Sequence, residues 1–248
     1  MNTARFGIIG YPLTHSFSPA WFNAMFRRQG IDARYEAYPL EDIKMLPHLI
    51  KQVCGLRGLS VTIPYKEKVQ VYLNWLDEAA REVGAVNCID IRNGELTGYN
   101  TDIIGFRNSL TPLLTSRHDR ALVLGNGGAA RAVRYVLGKL DIPCVTISRN
   151  APPGRPDLQP YSALTAGFVH DYRLIVNTTP LGMYPGTETC PPLPYESIGP
   201  AHLLYDVVYN PAETRFLELG KKNGAATKNG MEMLELQAIA AWEIWSAG

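Results

Sequence analysis

Short apolar runs alternate with stretches of helical periodicity along most of the chain. The runs at 6–9, 121–124, 174–177 and 203–208 are typical of buried strands, whereas residues 129–140 carry apolar side chains at helical spacing. Strands separated by helices imply a parallel sheet with right-handed crossovers. The pattern therefore predicts an α/β fold.

A half-buried strand is predicted over 58–63, where apolar residues alternate with Ser60 and Thr62. Since side chains alternate across a strand, both hydroxyls are expected on one face. Pro64 ends the strand, and we expect Lys66 at the beginning of the following helix. A lysine in this position suits acid–base chemistry, although most lysines at helix starts are only solvated.

The dipeptide Asn93-Gly94 is a strong signal for a two-residue hairpin, with strands expected at 85–91 and 96–100. Such a hairpin brings Asn87 and Asn100 to the same end of the ladder.

Two predicted helix starts carry polar side chains. Ser18 is expected to cap a helix with Pro19 at its first position, and Asp102 to cap another. The hydroxyls of Ser16 and Ser18 beside a helix N-terminus suit a bound carboxylate. A plain helix cap is the simpler interpretation of Ser18 and of Asp102.

A glycine-rich turn joins the strand 121–124 to the helix 129–140. Its small residues match the G-x-G-x-x-G/A pattern, which provides a sharp turn, close backbone approach to a pyrophosphate and close helix packing. A glycine-rich turn that binds nothing is the alternative. The residues expected at the phosphates are Gly125, Asn126, Gly127, Gly128 and Ala129.

The end of the next strand, about 20 residues further on, distinguishes the two nicotinamide cofactors. An NAD site offers an acid there for the ribose 2′-hydroxyl, but this chain offers Ser148, Arg149 and Asn150. The planar guanidinium of Arg149 suits a 2′-phosphate. We therefore predict NADP.

Composition narrows the class of protein. The 248 residues allow one large or two modest domains, and 24 basic against 23 acidic residues give no bulk charge for nucleic acid or a membrane surface. The four cysteines lack paired spacing, so we expect free thiols and no metal. With neither a leader-like nor a membrane-length apolar segment, a soluble cytoplasmic protein is expected.

Eight motifs occur in the order found in one known family, and together the chain resembles shikimate dehydrogenase along essentially its whole length. The motifs are Gly10-x-Pro-x-x-His-Ser-x-Ser-Pro19, Val61-Thr-Ile-Pro-Tyr-Lys66, Gly84-Ala-Val-Asn87, Tyr99-Asn-Thr-Asp-x-x-Gly105, Gly125-x-Gly-Gly-Ala-Ala-Arg-Ala132, Asn177-Thr-Thr-Pro-x-Gly-Met183, Tyr205-Asp-x-x-Tyr209 and Gly230-x-x-Met-Leu-x-x-Gln237.

The resemblance implies NADPH-dependent reduction of 3-dehydroshikimate to shikimate in aromatic amino acid biosynthesis. It implies Lys66 as the catalytic acid/base, paired with Asp102, and Ser16 and Ser18 at the substrate carboxylate. The other substrate contacts it implies are Thr62, Asn87, Asp102, Tyr209 and Gln237, and the further residues bordering the cofactor are Glu78, Val207 and Gly230.

The resemblance also implies two domains that face each other across a cleft. Residues 1–101 plus 231–248 are expected to form an α/β substrate domain, and residues 102–230 a Rossmann-type NADP domain with a parallel sheet. The substrate is a small molecule, and the chain is expected to be a monomer or a homodimer.

Two positions depart from the family pattern. Ser60 stands where the family usually has Asn, and Phe22 where a His commonly follows Ser-Pro. Three alternatives stay open: an NAD-dependent quinate/shikimate dehydrogenase, a non-catalytic metabolite sensor on this fold, and a folate-type dehydrogenase of similar plan. Arg149 disfavours the first, and the presence of both Lys66 and Asp102 disfavours the second.

Overall fold

A computed structural model of the chain describes residues 3–13, 17–152 and 154–247. The chain forms two compact units, Met1–Thr101 with Gln237–Gly248, and Asp102–Leu236. Ser16, expected at the substrate carboxylate, lies outside the described residues.

The first unit contains a mixed sheet, and its described strands lie in the order β2-β1-β3-β5-β6-β4. β1 is parallel to β2 and β3, and β5 is antiparallel to β3 and β6. The elements are β1 (Ala4–Gly10), α1 (Phe17–Gln29), β2 (Ala33–Pro39), α2 (Leu46–Gln52), β3 (Leu56–Val61), β4 (Trp75–Leu76), α3 (Glu78–Val83), β5 (Cys88–Arg92) and β6 (Glu95–Tyr99).

Local signals determine several boundaries in this unit. The β5–β6 hairpin turns at Asn93 and Gly94, whose φ angles of 52° and 83° are typical of a type I′ turn. α3 begins after Asp77, whose carboxylate accepts the backbone N–H of Ala79 at 3.1 Å, and ends at Gly84 in the left-handed region. The predicted hairpin is confirmed.

Both faces of this sheet are covered. One face buries an aliphatic cluster that includes Leu59 and Val61. The other buries an aromatic cluster that includes Phe6 and Trp245. The indole N–H of Trp245 donates to the Ile89 carbonyl oxygen at 3.0 Å, and a Cβ at Gly58 would overlap the indole ring. Trp245 is therefore part of the core of the first unit.

The second unit contains a sheet that is parallel throughout its described strands, in the order β12-β11-β10-β7-β8-β9. The predicted parallel Rossmann-type sheet is thus confirmed. Its elements are α4 (Asp102–Leu110), β7 (Ala121–Leu124), α5 (Gly128–Lys139), β8 (Cys144–Ile147), β9 (Leu158–Gln159), α6 (Ala166–Asp171), β10 (Leu174–Asn177), β11 (Leu203–Asp206), α7 (Arg215–Lys222), β12 (Ala226–Lys228) and α8 (Met231–Ser246).

Helices cover this sheet on its two faces. Phe106 of α4 and Val133 of α5 belong to the cluster on one face, and Phe216 of α7 to the cluster on the other. α8 is one continuous helix in which residues 231–236 belong to the second unit and the remainder to the first. None of the helices in the described ranges is both long and apolar enough to cross a bilayer.

Four local expectations were wrong. Asp102 is not an N-cap, because α4 begins at Asp102 itself. Ser18 is not an N-cap, because α1 includes Phe17 and Ser18 lies inside its first turn; Pro19 is tolerated there because early N–H groups have no intrahelical partner. Lys66 does not begin an α-helix, since a short 3₁₀-helix follows at Lys68–Tyr72. Ile63 is 68% exposed rather than buried, because β3 ends at Val61.

Candidate functional site

Backbone hydrogen bonds hold the Lys66 segment against the strand that begins after Asn87. The Val86 N–H donates to the Lys66 carbonyl oxygen at 2.7 Å, and the Val61 N–H donates to the Asn87 carbonyl oxygen at 2.8 Å. Between β3 and Lys66 the chain makes a turn in which the Tyr65 N–H donates to the Thr62 carbonyl oxygen at 2.9 Å. Thr62 and Lys66 are half-buried, and Asn87 is buried. The first unit therefore presents an amine, a hydroxyl and an amide from neighbouring segments.

Asn87 and Gln237, both expected at the substrate, meet around Thr101. The Asn87 Oδ1 accepts the Thr101 N–H at 2.6 Å, and the Asn87 Nδ2 donates to the Thr101 Oγ1 at 3.0 Å and to the Gln237 Oε1 at 3.5 Å. The Thr101 Oγ1 also donates to the Gln237 Oε1 at 3.4 Å. This network fixes the orientation of the Asn87 amide and joins residues far apart in sequence.

The glycine loop of the second unit has the shape expected for a dinucleotide site. Gly125 has a φ of 107°, and a Cβ there would lie 2.6 Å from the Thr178 Oγ1, so the turn requires glycine. A Cβ at Gly127 would have no heavy atom within 4 Å. Packing within the protein therefore does not require a glycine at position 127, whereas the close approach of a pyrophosphate would require one.

Neighbouring contacts hold this loop at the start of α5. The Arg134 Nη1 donates to the Asn126 Oδ1 at 2.7 Å and to the Thr146 Oγ1 at 3.2 Å. The N-cap of α5 is Gly127, which makes no side-chain capping bond, and the helix continues through Gly128 and Ala129. The first N–H groups of a helix have no intrahelical partners and carry partial positive charge, which suits phosphate.

Ser148 and Arg149, which the sequence places at the adenosine end of the cofactor, follow β8. The Ser148 N–H donates to the Gln159 carbonyl oxygen at 2.9 Å, and Arg149 is exposed beside it. Burial raises the pKa of Tyr161, and the positive charge of Arg149 opposes that shift. An exposed guanidinium fits a 2′-phosphate.

A buried carboxylate, Asp206, links the end of β10 to the loop that follows β11 and to the start of α7. Its Oδ1 accepts the Asn177 Nδ2 and the Val208 N–H, both at 3.0 Å, and its Oδ2 accepts the Thr214 Oγ1 at 2.6 Å. Burial raises the pKa of Asp206 to about 6, and these three hydrogen bonds oppose the shift. Asp206 thus fixes the backbone immediately before Tyr209.

Val207 and Gly230 lie against each other within the same unit. The Gly230 N–H donates to the Val208 carbonyl oxygen at 3.0 Å, and a Cβ at Gly230 would overlap the Val207 carbonyl. Tyr209 is half-buried two residues further on. Any larger residue at position 230 would displace the strand end that carries Val207.

The expected site residues divide between the units. The first unit holds Ser18, Thr62, Lys66, Glu78, Asn87 and Gln237, and the second holds Asp102, the glycine loop, Ser148, Arg149, Val207, Tyr209 and Gly230. Ser18 and Asp102 are buried, each 6% exposed, whereas Glu78 is exposed at the first position of α3.

Sequence reasoning assigned no role to Asp206. A carboxylate at the carboxyl end of a buried parallel strand was the available signal, since that edge of an open α/β sheet is where ligands bind. Among the described residues, no group of three or more His, Cys, Asp or Glu side chains could hold a metal ion.

Comparison with known proteins is consistent with this geometry. Residues 8–89 match the family model described as the shikimate dehydrogenase substrate binding domain. The chain is 41% identical over 260 residues to a shikimate dehydrogenase (NADP(+)) of Symbiobacterium thermophilum, with 96% of this chain and 87% of that protein covered.

Solved structures are similar over nearly the whole chain. A crystal structure of shikimate dehydrogenase in complex with NADP+ is 33% identical with a TM-score of 0.89, covering 99% of this chain and 91% of that one. The Thermus thermophilus enzyme in complex with NADP(H) and shikimate is 32% identical with a TM-score of 0.86, covering 99% of this chain and 94% of that one.

Proposed function

Since this chain belongs to the shikimate dehydrogenase family, we propose that it reduces 3-dehydroshikimate to shikimate, reversibly, with hydride from NADPH and a proton from Lys66. The observation that carries the proposal is the match to NADP-dependent shikimate dehydrogenases over nearly the whole chain. The reaction belongs to chorismate and aromatic amino acid biosynthesis.

The cofactor is held by the second unit. The glycine loop 125–129 receives the pyrophosphate, Ser148 and Arg149 receive the 2′-phosphate, and Val207 and Gly230 border the nicotinamide end. Glu78 is a further proposed cofactor neighbour. The open space above Gly127 supports the first assignment, and the exposed guanidinium of Arg149 supports the second.

NADPH, when bound, supplies the hydride that adds to the keto carbon. As that carbon is reduced, its oxygen gains negative charge and takes a proton from the Nζ of Lys66, so one N–H bond breaks and one O–H bond forms. In the reverse direction the same amine accepts the proton. A positioned general acid contributes about 10²–10⁴-fold to the rate.

Asp102 is proposed to act with Lys66, by stabilising the ammonium form and by accepting a substrate hydroxyl. The pairing comes from the family resemblance and stays a prediction. The low exposure of Asp102 supports it, because a buried carboxylate requires a cationic or hydrogen-bonding partner.

The remaining side chains are proposed to hold the substrate ring. Ser16 and Ser18 hold the carboxylate, and Thr62, Asn87, Tyr209 and Gln237 contact the rest. The hydrogen-bond network of Asn87 supports its assignment, because a fixed amide presents donor and acceptor in known positions.

The experiment that tests this proposal is the absorbance of the reduced nicotinamide band. Purified protein is mixed with shikimate or quinate and with NADP or NAD, and the four initial rates are compared. We expect the highest rate with shikimate and NADP. Preference for NAD with quinate would instead support the quinate/shikimate dehydrogenase, and ligand binding without turnover would support the sensor.

We further propose a cytoplasmic protein that is a monomer or a homodimer. Size-exclusion chromatography with light scattering distinguishes these two states.

A further inference from the structure

Both positions at which the sequence departs from the family pattern contact the same side chain, Tyr35. The rings of Phe22 and Tyr35 stack with centroids 4.4 Å apart and an interplanar angle of 6°. The Tyr35 hydroxyl donates to the Ser60 Oγ at 2.7 Å. All three residues are buried, with exposures of 1%, 2% and 8% for Phe22, Tyr35 and Ser60.

The contact between Tyr35 and Ser60 crosses a strand. Tyr35 lies on β2 opposite Phe6 of β1, and Ser60 lies on β3 opposite Ile8 of β1. The tyrosine therefore reaches diagonally over β1 to the end of β3. Its ring is fixed by Phe22 on one side and lies 6.2 Å from the Trp245 ring. A ring held in this way gives its hydroxyl a single position.

Ser60 lies on the face of β3 that leads to the proposed substrate residues. The Thr62 N–H, just beyond β3, still donates to the Ile9 carbonyl oxygen of β1 at 2.9 Å, so Thr62 continues the same face two residues later. Ser18 lies one helical turn before Phe22 on α1, so the two share a face of that helix. Burial raises the pKa of Tyr35, and hydroxyl contacts to Ser60 and then Ser18 oppose the shift.

The direction of the Tyr35 hydrogen bond determines what Ser60 can recognise. A hydroxyl carries one proton, and Tyr35 gives its proton to the Ser60 oxygen. The proton of Ser60 is then available to a different acceptor. Within residues 3–13, 17–152 and 154–247, Ser60 makes no second side-chain hydrogen bond to the protein. Ser60 therefore presents a donor.

We propose that Ser60 donates a hydrogen bond to an oxygen of the substrate, and that Tyr35 is the positioning residue that makes Ser60 a donor. This inference rests on the proposed function, because the substrate is the ring acid. Tyr35 then controls the affinity for the substrate, although it does not touch the reacting atoms. Position 60 then selects a substrate with an acceptor oxygen at that point of the ring.

Tyr35→Phe tests the proposal, because it removes one oxygen and retains the ring that stacks on Phe22. Without the tyrosine hydroxyl, the Ser60 hydroxyl loses the hydrogen bond that fixes its orientation. We expect the KM for shikimate to rise about tenfold, with kcat within about twofold and the KM for NADP unchanged. An unchanged KM for shikimate would overturn the proposal.

Tyr205→Phe is the matched control. Tyr205 and Ser109 form another buried tyrosine–serine hydroxyl pair, 2.6 Å apart, within the second unit. A purely structural hydroxyl pair affects stability without affecting substrate affinity. We expect Tyr205→Phe to lower the melting temperature and to leave the KM for shikimate within about twofold. An equal KM rise in both variants would overturn the proposal.

Ser60→Ala separates positioning from direct contact. We expect it to raise the KM for shikimate about as much as Tyr35→Phe, and the double variant to show no further rise, since both act through one hydrogen bond. A double variant whose KM rise equals the product of the single rises would exclude the positioning role. Wild-type turnover is measured first, so absence of activity with shikimate and NADP would refute the proposed function separately.

Discussion

The side-chain oxygen of Asn87 accepts the backbone N–H of Thr101 across 2.6 Å, at the last residue of the first unit's N-terminal segment. Both residues are buried, Asn87 at 4% and Thr101 at 1% exposure. The bond determines which end of the Asn87 amide is oxygen and which is nitrogen. It also gives a buried N–H group of the connecting backbone its acceptor.

Asn87→Ala is expected to lower the free energy of unfolding by about 1–3 kcal/mol, because the Thr101 N–H loses its acceptor without access to water. Urea unfolding followed by fluorescence measures the change. Asn74→Ala is the control, since the Asn74 Oδ1 also accepts a backbone N–H, that of Leu96 at 2.8 Å, but the residue is exposed. If the free energy of unfolding falls equally in the two variants, burial at position 87 has no special role.

Lys66→Ala is expected to lower kcat by about 10²–10⁴-fold with little change in the KM for shikimate, because the general acid is removed while the binding residues stay. Steady-state kinetics at saturating NADP measure both constants. Lys68→Ala provides the control, since Lys68 is exposed two residues later at the start of the 3₁₀-helix. A large rise in KM with normal turnover would refute the acid–base role.

Asp102→Asn is expected to lower kcat, since the proposed ammonium form of Lys66 loses its counter-charge. Groups that act as one catalytic unit have strongly non-additive effects on the rate. The double variant with Lys66→Ala should therefore be little slower than Lys66→Ala alone. Single-turnover rates of the four proteins test this, and independent, multiplying effects would show that the two residues do not act as a pair.

Arg149→Ala is expected to raise the KM for NADP at least about tenfold and to change the KM for NAD much less, because only NADP offers a 2′-phosphate to the guanidinium. Arg120→Ala is the control, since this exposed arginine precedes β7 at the opposite end of the parallel strands. If the KM values for NADP and for NAD rise equally in Arg149→Ala, Arg149 does not recognise the 2′-phosphate.

The stability contributed by two buried histidines is expected to fall as the pH drops below about 6.5, the usual pKa of an unfolded histidine. Asp206, whose folded pKa is raised to about 6, contributes in the opposite direction between about pH 6 and 4. Burial lowers the pKa of His118, helped by the charges of His202 and Arg117, and burial also lowers the pKa of His202. As the pH falls, the unfolded chain therefore binds protons at these two histidines before the folded protein does. The stability that they contribute is present above about pH 6.5 and is lost as the pH falls from there to the folded pKa values.

Urea midpoints between about pH 5 and 8 measure this dependence. His118→Asn keeps an acceptor for the Thr115 N–H, which bonds the His118 Nδ1 at 3.1 Å, and should flatten the acid side of the curve. His48→Asn is the control, because His48 is exposed. If the fall in the urea midpoint at acid pH is unchanged in His118→Asn, the pH dependence arises from other groups.

Features that depend on neighbouring residues could be predicted from the sequence. The turn at Asn93 and Gly94 and the glycine loop at Gly125 are specified by side-chain chemistry within a few positions, and both occur as expected. The helix expected to begin at Lys66 is instead a short 3₁₀-helix at Lys68–Tyr72. Its apolar spacing over Val69 and Leu73 suits a helix, but the chain leaves helical geometry after Tyr72.

Features that depend on distant residues could not be predicted in this way. The hydrogen bond between Tyr35 and Ser60 joins strands separated by a third strand, and that of Asn87 with Gln237 spans 150 positions. The same holds for Asp206, whose three hydrogen-bond donors come from the end of β10, from the loop after β11 and from the start of α7. Periodicity along one strand carries no information about such partners.

The packing of Trp245 against Gly58 affects the order in which the protein can form during synthesis. The aromatic cluster that covers one face of the first sheet includes Trp245, and the 135 residues Asp102–Leu236 separate the two segments of that unit. At the usual rate of translation, about 5–20 residues per second, roughly ten seconds or more pass between synthesis of the early strands and synthesis of Trp245. Until it emerges from the ribosome, Phe6 and its neighbours are exposed to water or to chaperones.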